Sequence, residues 1–149
     1  MTAVPATEAA MTGASLTDRQ MEIALACRDG AEGGGMTFPE IVRTLTEAGF
    51  ESYAIDFRRA TATYTLADGG SIELSTHRVA AAVAPALAAA RLQAAIRDAQ
   101  ALVPGYTYRG FCEAAAAAGC AGYLVSFPGR RALYVGRTAE THVEPFPDR

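Results

Sequence analysis

Two kinds of hydrophobic pattern alternate along the chain, one typical of helices and one typical of strands. The clearest helix pattern begins at the capping residue Thr37, has Pro39 and Glu40 in its first turn, and ends before Gly49. After Gly49, apolar residues occupy every second position, as in strands with one covered face. The apolar positions of these predicted strands are Tyr53, Ile55 and Phe57, then Ala62, Tyr64 and Leu66, then Ile72 and Leu74.

The segment from Thr37 to Leu66 returns from Thr107 to Gly136, at an offset of 70 residues and without a gap. The residues shared by the two segments are Thr37/Thr107, Ala48/Ala118, Gly49/Gly119, Tyr53/Tyr123, Phe57/Phe127, Ala62/Ala132 and Tyr64/Tyr134. A repeat at a fixed offset is typical of a duplicated structural unit. The sequence therefore predicts two copies of one unit.

A further helix precedes each repeated segment. The first is predicted from Thr17 to about Arg28, before a glycine-rich connection, and the other from about Ala86 to Leu102. Each copy is then a helix, a second helix and three antiparallel strands. The predicted fold class is α+β, an internal duplication in which the helices pack on an antiparallel sheet.

The repeated units define the predicted domain organisation. Residues 1–15 are small, polar and without a pattern, which predicts a disordered tail. Residues 16–146 form a single α+β domain, with the two copies at about 16–75 and 86–146. A chain of this length can bury a core without disulfides or metals.

Charge and composition narrow the class of protein. The formal charge of -3 and the pI near 5.4 provide no basic surface for phosphate backbones, which argues against a nucleic-acid partner. All 13 basic side chains are arginine, so lysine-dependent catalysis and the lysine of phosphate-binding loops are excluded. No apolar run of membrane-spanning length occurs, so no membrane association is expected.

The three cysteines indicate the compartment. Cys27, Cys112 and Cys120 are odd in number and lack C-x-x-C spacing, which is typical of reduced thiols and predicts a cytoplasmic location. Cys112 or Cys120 could act as a nucleophile beside His142. Both positions correspond to apolar residues of the first copy, which favours buried, unreactive thiols instead.

His142 and Glu144 are the most suggestive polar pair. They lie two residues apart on the last predicted strand, so their side chains share one face of the strand and Val143 lies on the other. Such a pair could tune a general base, whereas the simpler interpretation is a solvated strand face. One histidine and one carboxylate are too few for a metal site, and no metal or cofactor is expected.

The tyrosines that both copies keep are candidates for ligand contacts. Tyr64 and Tyr134, like Tyr53 and Tyr123, would lie near a pseudo-two-fold axis and offer hydroxyls to a shared cleft. The alternative is ordinary packing of amphipathic side chains.

Asp56 and Arg131 are weaker candidates for a polar site. The second copy has Ser126 in place of Asp56, and Arg131 replaces a threonine of the first copy. Such divergence marks either a specialised copy or drift, and solvated charges are the simpler interpretation. Dinucleotide, nucleophile-elbow and zinc-protease motifs are all absent from the sequence.

Three stretches carry a resemblance to a known family: TFPEIVRTLTEAGFESYAIDF, YTLADG and GYLVSFPGRRALYVGRTAETHVEPFP. The chain resembles the YbcV-like family of small bacterial proteins of unknown function, some of which are labelled phage envelope protein. The resemblance covers roughly residues 16–146. It implies an intracellular, compact α+β domain and names no chemistry, and the phage label implies at most a phage-related genomic neighbourhood.

These observations favour an uncharacterised, non-catalytic binding or interaction module, monomeric or homodimeric, whose partner is a protein or a small ligand. The alternative is a small-ligand sensor or a small enzyme that uses a cleft between the two copies. That alternative requires Tyr64, Tyr134, Arg131 and His142 to converge on one pocket. Self-association through an exposed sheet edge or face is a third hypothesis.

Overall fold

A computed structural model describes residues 9–12 and 16–147 of the protein. The described residues form four helices and seven strands, of which the helices and six strands follow the predicted order, with the pattern of two helices and three strands appearing twice. The helices are α1 (Asp18–Gly33), α2 (Phe38–Glu47), α3 (Ala89–Ala101) and α4 (Tyr108–Ala117). The strands are β1 (Ala9–Thr12), β2 (Phe50–Asp56), β3 (Thr61–Leu66), β4 (Ser71–Ser75), β5 (Cys120–Ser126), β6 (Arg131–Gly136) and β7 (Thr141–Pro145).

All seven strands belong to one antiparallel sheet in the order β1-β4-β3-β2-β5-β6-β7. The two copies meet where β2 pairs with β5, and Ala54 lies opposite its own counterpart Leu124. A pseudo-two-fold axis therefore passes through the centre of the sheet. The predicted α+β duplication, with helices on an antiparallel sheet, is confirmed.

One strand lies in the segment that was predicted to be a disordered tail. Ala9–Thr12 pair with β4 and extend the edge of the first copy, with Met11 opposite Ile72. The remaining residues of the predicted tail, 1–8 and 13–15, lie outside the described residues. A pattern of four residues is too short to predict a strand from the sequence. The strand forms because the edge of β4 offers backbone groups with which it can pair.

The first helix continues beyond its predicted end near Arg28 as far as Gly33. Gly30 permits this because the chain returns over it: the Met36 amide donates to the Gly30 carbonyl at 3.1 Å. A Cβ at Gly30 would lie only 2.5 Å from Cγ of Met36. The helix ends at Gly34, which has the left-handed φ of 78°.

Both repeated helices begin at a threonine, as predicted. The Thr37 hydroxyl accepts a hydrogen bond from the Glu40 amide, and the Glu40 carboxylate accepts one from the Thr37 amide. The capping box of α2 is therefore complete. In α4 the hydroxyl of Thr107 accepts from the Gly110 amide, and Gly110 has no side chain to complete the box.

The two faces of the sheet differ in what covers them. The predicted apolar positions of the strands face the helices and are buried, including Tyr53, Tyr64, Tyr123 and Tyr134. No helix of the described residues covers the opposite face, which is called the open face. In the first copy it displays mainly threonine and serine, and in the second copy it includes Leu124, Leu133, Val135 and Val143.

Candidate functional site

A groove of about 1710 Å³ lies between the two copies, on the side of the sheet that the helices cover. Its floor is formed by the four central strands. Its walls are the end of α1, α2, the end of α3 and the beginning of α4. The residues that line it are mainly aromatic and aliphatic, which is typical of sites for small organic molecules, and the volume exceeds that of most such sites.

Four tyrosines cross the floor of the groove. Tyr53 pairs with Tyr64 across β2 and β3, and Tyr123 pairs with Tyr134 across β5 and β6. Their rings are close, with centroid separations of 5.7 Å and 5.1 Å within the pairs and 6.4 Å between Tyr53 and Tyr123. This row is called the tyrosine floor below.

The hydroxyls of the tyrosine floor differ in their partners. The Tyr123 hydroxyl lies 2.7 Å from that of Tyr108 on α4. Phe38 replaces Tyr108 in the first copy, and Tyr53 therefore lacks the equivalent partner. Within the described residues, the hydroxyls of Tyr53, Tyr64 and Tyr134 accept or donate no hydrogen bond. Burial raises the pKa of all four phenols, so each remains a protonated donor at neutral pH.

One side of the groove is closed by a polar cluster that joins α1, the segment after β4 and α4. The Glu32 carboxylate accepts from the His77 backbone amide at 2.9 Å and lies 2.7 Å from Nδ1 of His77. Arg109 approaches the same carboxylate at 3.6 Å. The His77 ring packs edge-on against Tyr108. We call Glu32, His77 and Arg109 the polar clamp.

The second copy has no counterpart of the polar clamp. At the offset of 70, Pro147 replaces His77 and Pro39 replaces Arg109. Glu32 lies two residues before the left-handed cap of α1, and Gln100 has that position before the left-handed cap of α3. α2 and the end of α3 line the groove without a corresponding set of charges between them.

The unclamped side has an apolar rim. Phe38 and Phe146 pack edge-on at 5.4 Å, and the Arg130 guanidinium lies over the Phe146 ring at the same distance. Phe38 is 39% exposed and Leu102 is 57% exposed, although both are large and apolar. This rim is exposed apolar surface beside the groove.

The structure brings four of the six predicted site residues to the helix side of the sheet. Tyr64, Tyr134 and Glu144 line the groove. His142 lies behind them, with Nε2 3.1 Å from the Glu144 carboxylate and its ring 6.3 Å from that of Tyr134. His142 and Glu144 share one side of β7, as the alternation indicated, and both are half-buried.

The other two predicted residues lie elsewhere. Asp56 alternates with the buried Ile55, and its carboxylate accepts from the Arg58 and Arg59 amides in the turn after β2. Arg131 is exposed at the beginning of β6, and its Nε donates to the Gly129 carbonyl. Asp56 and Arg131 therefore do not line the groove. Both lie at strand ends beside turns, on the open face of the sheet.

Neither thiols nor metal ligands form a reactive centre here. Cys27, Cys112 and Cys120 are buried, which confirms the interpretation of the last two as small core residues. Burial raises the thiol pKa values to about 11, 12 and 11, respectively, so they stay protonated. In the described part of the chain, no cluster of three or more His, Cys, Asp or Glu side chains could bind a metal ion.

Sequence reasoning missed the polar clamp and Tyr108. His77 follows a strand in the connection between the copies, and Glu32 lies in a segment predicted to be a loop. Their signal was present in the duplication itself: Tyr108 and Arg109 replace Phe38 and Pro39 at the beginning of α4. Differences between the copies at the start of one helix therefore indicated where a polar contact had been gained.

The open face displays an apolar row on the second copy. Leu124, Leu133 and Val143 are consecutive cross-strand neighbours on β5, β6 and β7. Leu124 is 42% exposed and Val143 is 46% exposed. The same row continues on the first copy as Ala54, which is smaller than these residues, and Thr63, which is more polar.

The fold and the groove define a class: a pseudo-symmetric α+β domain with an aromatic cleft between its two copies. The comparison with protein-family models gives the family. Residues 30–141 match the model described as protein of unknown function (DUF1398), and the chain belongs to that family. A search of the curated proteins found no match. None of the described helices is long and apolar enough to cross a membrane.

Proposed function

We propose that the protein is a non-catalytic binding module that holds a small, largely apolar molecule in the groove between its copies. The observation that supports this proposal is the groove itself, about 1710 Å³ of space beneath the helices of a chain that otherwise packs a continuous core. Space of that size beside exposed apolar side chains is stabilised by a ligand more readily than by water.

Catalysis in the groove is the alternative, and it has less support. The tyrosine floor is protonated, the thiols are buried, and the His142 imidazole already pairs with Glu144. A cytoplasmic location is part of the proposal and fits three free thiols. The YbcV-like resemblance and the phage-related origin stay predictions, and the binding proposal does not use them.

Replacing Ala99 by tryptophan tests the proposal by filling the groove. Ala99 lines the groove from α3, so an indole there occupies the ligand's space. We expect Nile red, a neutral apolar dye, to bind the native protein saturably and to lose at least tenfold in affinity with Ala99→Trp. Fluorescence titration measures both affinities.

The matched control is Ala94→Trp, which places the same indole on the exposed side of α3. It should leave dye affinity unchanged within about twofold. Equal losses in the two variants, or no saturable binding to the native protein, would contradict a ligand site in the groove.

A second copy of the chain is the second candidate partner, and the apolar row of the open face favours it. Val143 ends that row on β7, which pairs only with β6 within the described residues. Antiparallel pairing of two β7 strands would continue the sheet and join two apolar rows about a two-fold axis.

Val143→Lys tests this candidate because a lysine on an edge strand opposes pairing with another strand. We expect sedimentation velocity to show a dimer for the native protein and a monomer for the variant. Thr63→Lys, in the polar half of the same row, should remain dimeric. A native protein that is monomeric at high concentration would refute the candidate.

A further inference from the structure

We infer that the ligand is a neutral aromatic molecule with carbonyl oxygens, which accept hydrogen bonds from the free phenols of the tyrosine floor. This inference rests on the proposed function and specifies its ligand. Three properties of the groove carry it: the shape and character of its walls, the pairing of the charges that act on its floor, and the unequal hydrogen bonding of its hydroxyls.

The walls of the groove are rich in rings. Besides the tyrosine floor, aromatic side chains from both copies and from the segments that end each copy line the space. They are Phe38, Phe50, Tyr106, Tyr108, Phe111, Phe127 and Phe146. Aromatic pairs with offset or edge-on geometry gain about 0.5–1.5 kcal/mol beyond the area they bury. A ring system therefore gains more on this floor than a flexible acyl chain, which also loses more rotational freedom on binding.

The charged groups that act on the phenols of the tyrosine floor already have partners in the protein, whereas Arg43, Glu47, Glu51 and Arg130 line the groove without an ion pair among the described residues. Glu144 pairs with His142, and Arg109 faces Glu32. The Arg28 guanidinium bonds to Asp29 and to the Ser75 carbonyl. A carboxylate or ammonium on a ligand would lose its hydration above phenols without gaining an ion pair, which is costly. The floor therefore favours a neutral ligand.

The free hydroxyls set the polar requirement. Tyr53, Tyr64 and Tyr134 line the groove and their protonated hydroxyls have no partner among the described residues, while the Tyr123 hydroxyl is paired with that of Tyr108. Donors that lack a partner in the protein are satisfied by acceptor oxygens such as aryl ketones. Tyr53 and Tyr123 share the two central strands of the floor, and of their two hydroxyls only that of Tyr53 lacks a partner among the described residues.

The test measures displacement of Nile red by three competitors: flavone, a flavone carboxylate and palmitate. We expect flavone to bind at least tenfold more tightly than either anion. Tyr53→Phe should weaken flavone about fivefold, which corresponds to the loss of one hydrogen bond. Tyr123→Phe is the matched control, and it should change flavone affinity by less than twofold because its hydroxyl is already paired within the protein.

The outcomes separate the inference from the function on which it rests. If Nile red binding fails to respond to Ala99→Trp, the groove is not the site and both proposals fall. If the dye site holds but palmitate or the flavone carboxylate competes better than flavone, only the ligand class is overturned. Equal effects of Tyr53→Phe and Tyr123→Phe would overturn the role of the free phenol, and an absence of displacement by flavone would also overturn the ligand class.

Discussion

Replacing Gly119 by alanine is expected to destabilise the protein by about 3 kcal/mol or more. Gly119 has a left-handed φ of 94° between α4 and β5, and the connection between the copies passes directly over it. A Cβ there would overlap the Ala86 carbonyl oxygen and lie 2.9 Å from Cα of Leu87. These Ala86 and Leu87 atoms belong to the backbone and cannot rotate away as a side chain could. A hydrogen bond from the Ala88 amide to the Ala118 carbonyl, at 2.7 Å, holds this segment in place.

Gly49 is the matched control, since it has the same place in the first copy and a φ of 99°. A Cβ at Gly49 would meet only the Gln20 side chain, at 3.4 Å. Gly49→Ala therefore incurs the left-handed strain alone, about 1–2 kcal/mol. Urea denaturation of the two variants measures the difference. Similar losses in both would show that the connection yields, and would refute the close packing over Gly119.

The second large effect is expected at the polar clamp. Replacing Glu32 by alanine should lower the free energy of unfolding at pH 7 by about 2–4 kcal/mol. The carboxylate is the partner of the His77 amide and of Nδ1, and the side chains of Glu32 and His77 are only 14% and 10% exposed. His77 Nε2 already lacks a partner in the described structure, so the variant leaves the imidazole with none.

Two further variants test the cause of that loss. Gln100 has the position of Glu32 in the second copy but is exposed, so Gln100→Ala should change stability by less than about 0.5 kcal/mol. Glu32→Gln keeps one acceptor oxygen and should lie between the alanine variant and the native protein. If Glu32→Ala and Gln100→Ala have equal effects, the clamp contributes nothing beyond ordinary surface contacts.

The fold could be predicted from the sequence because the repeat placed the same pattern twice. The alternation of Tyr53, Ile55 and Phe57 with polar residues established the covered face, and the capping threonines established the helix starts. The end of α1 was missed because Gly30 resembles a helix stop. Inside the helix, the absence of a side chain at Gly30 leaves room for the Met36 side chain. The sequence does not show this contact because it forms only when the chain folds back.

The candidate site could be predicted only in part. Tyr64 and Tyr134 were found because duplication kept them, and His142 with Glu144 because strand alternation places them on one side. The residues of the polar clamp are far apart in the sequence. His77 follows Glu32 by 45 positions and Arg109 follows it by 77 positions, and no motif or repeat connects them. The spacing alone does not predict such pairs, and the one sequence signal was the replacement of Phe38 and Pro39 by Tyr108 and Arg109 in the second copy.

The seam between the copies has a consequence for how the protein unfolds. β2 and β5 pair over five residues, and the chain approaches so closely at Gly122 that a Cβ would overlap the Ile55 carbonyl oxygen. Neither copy could detach without exposing a long bare strand edge and the aromatic floor above it. We therefore expect the duplicated halves to unfold as one cooperative unit, and a ligand in the groove to stabilise both halves at once by mass action.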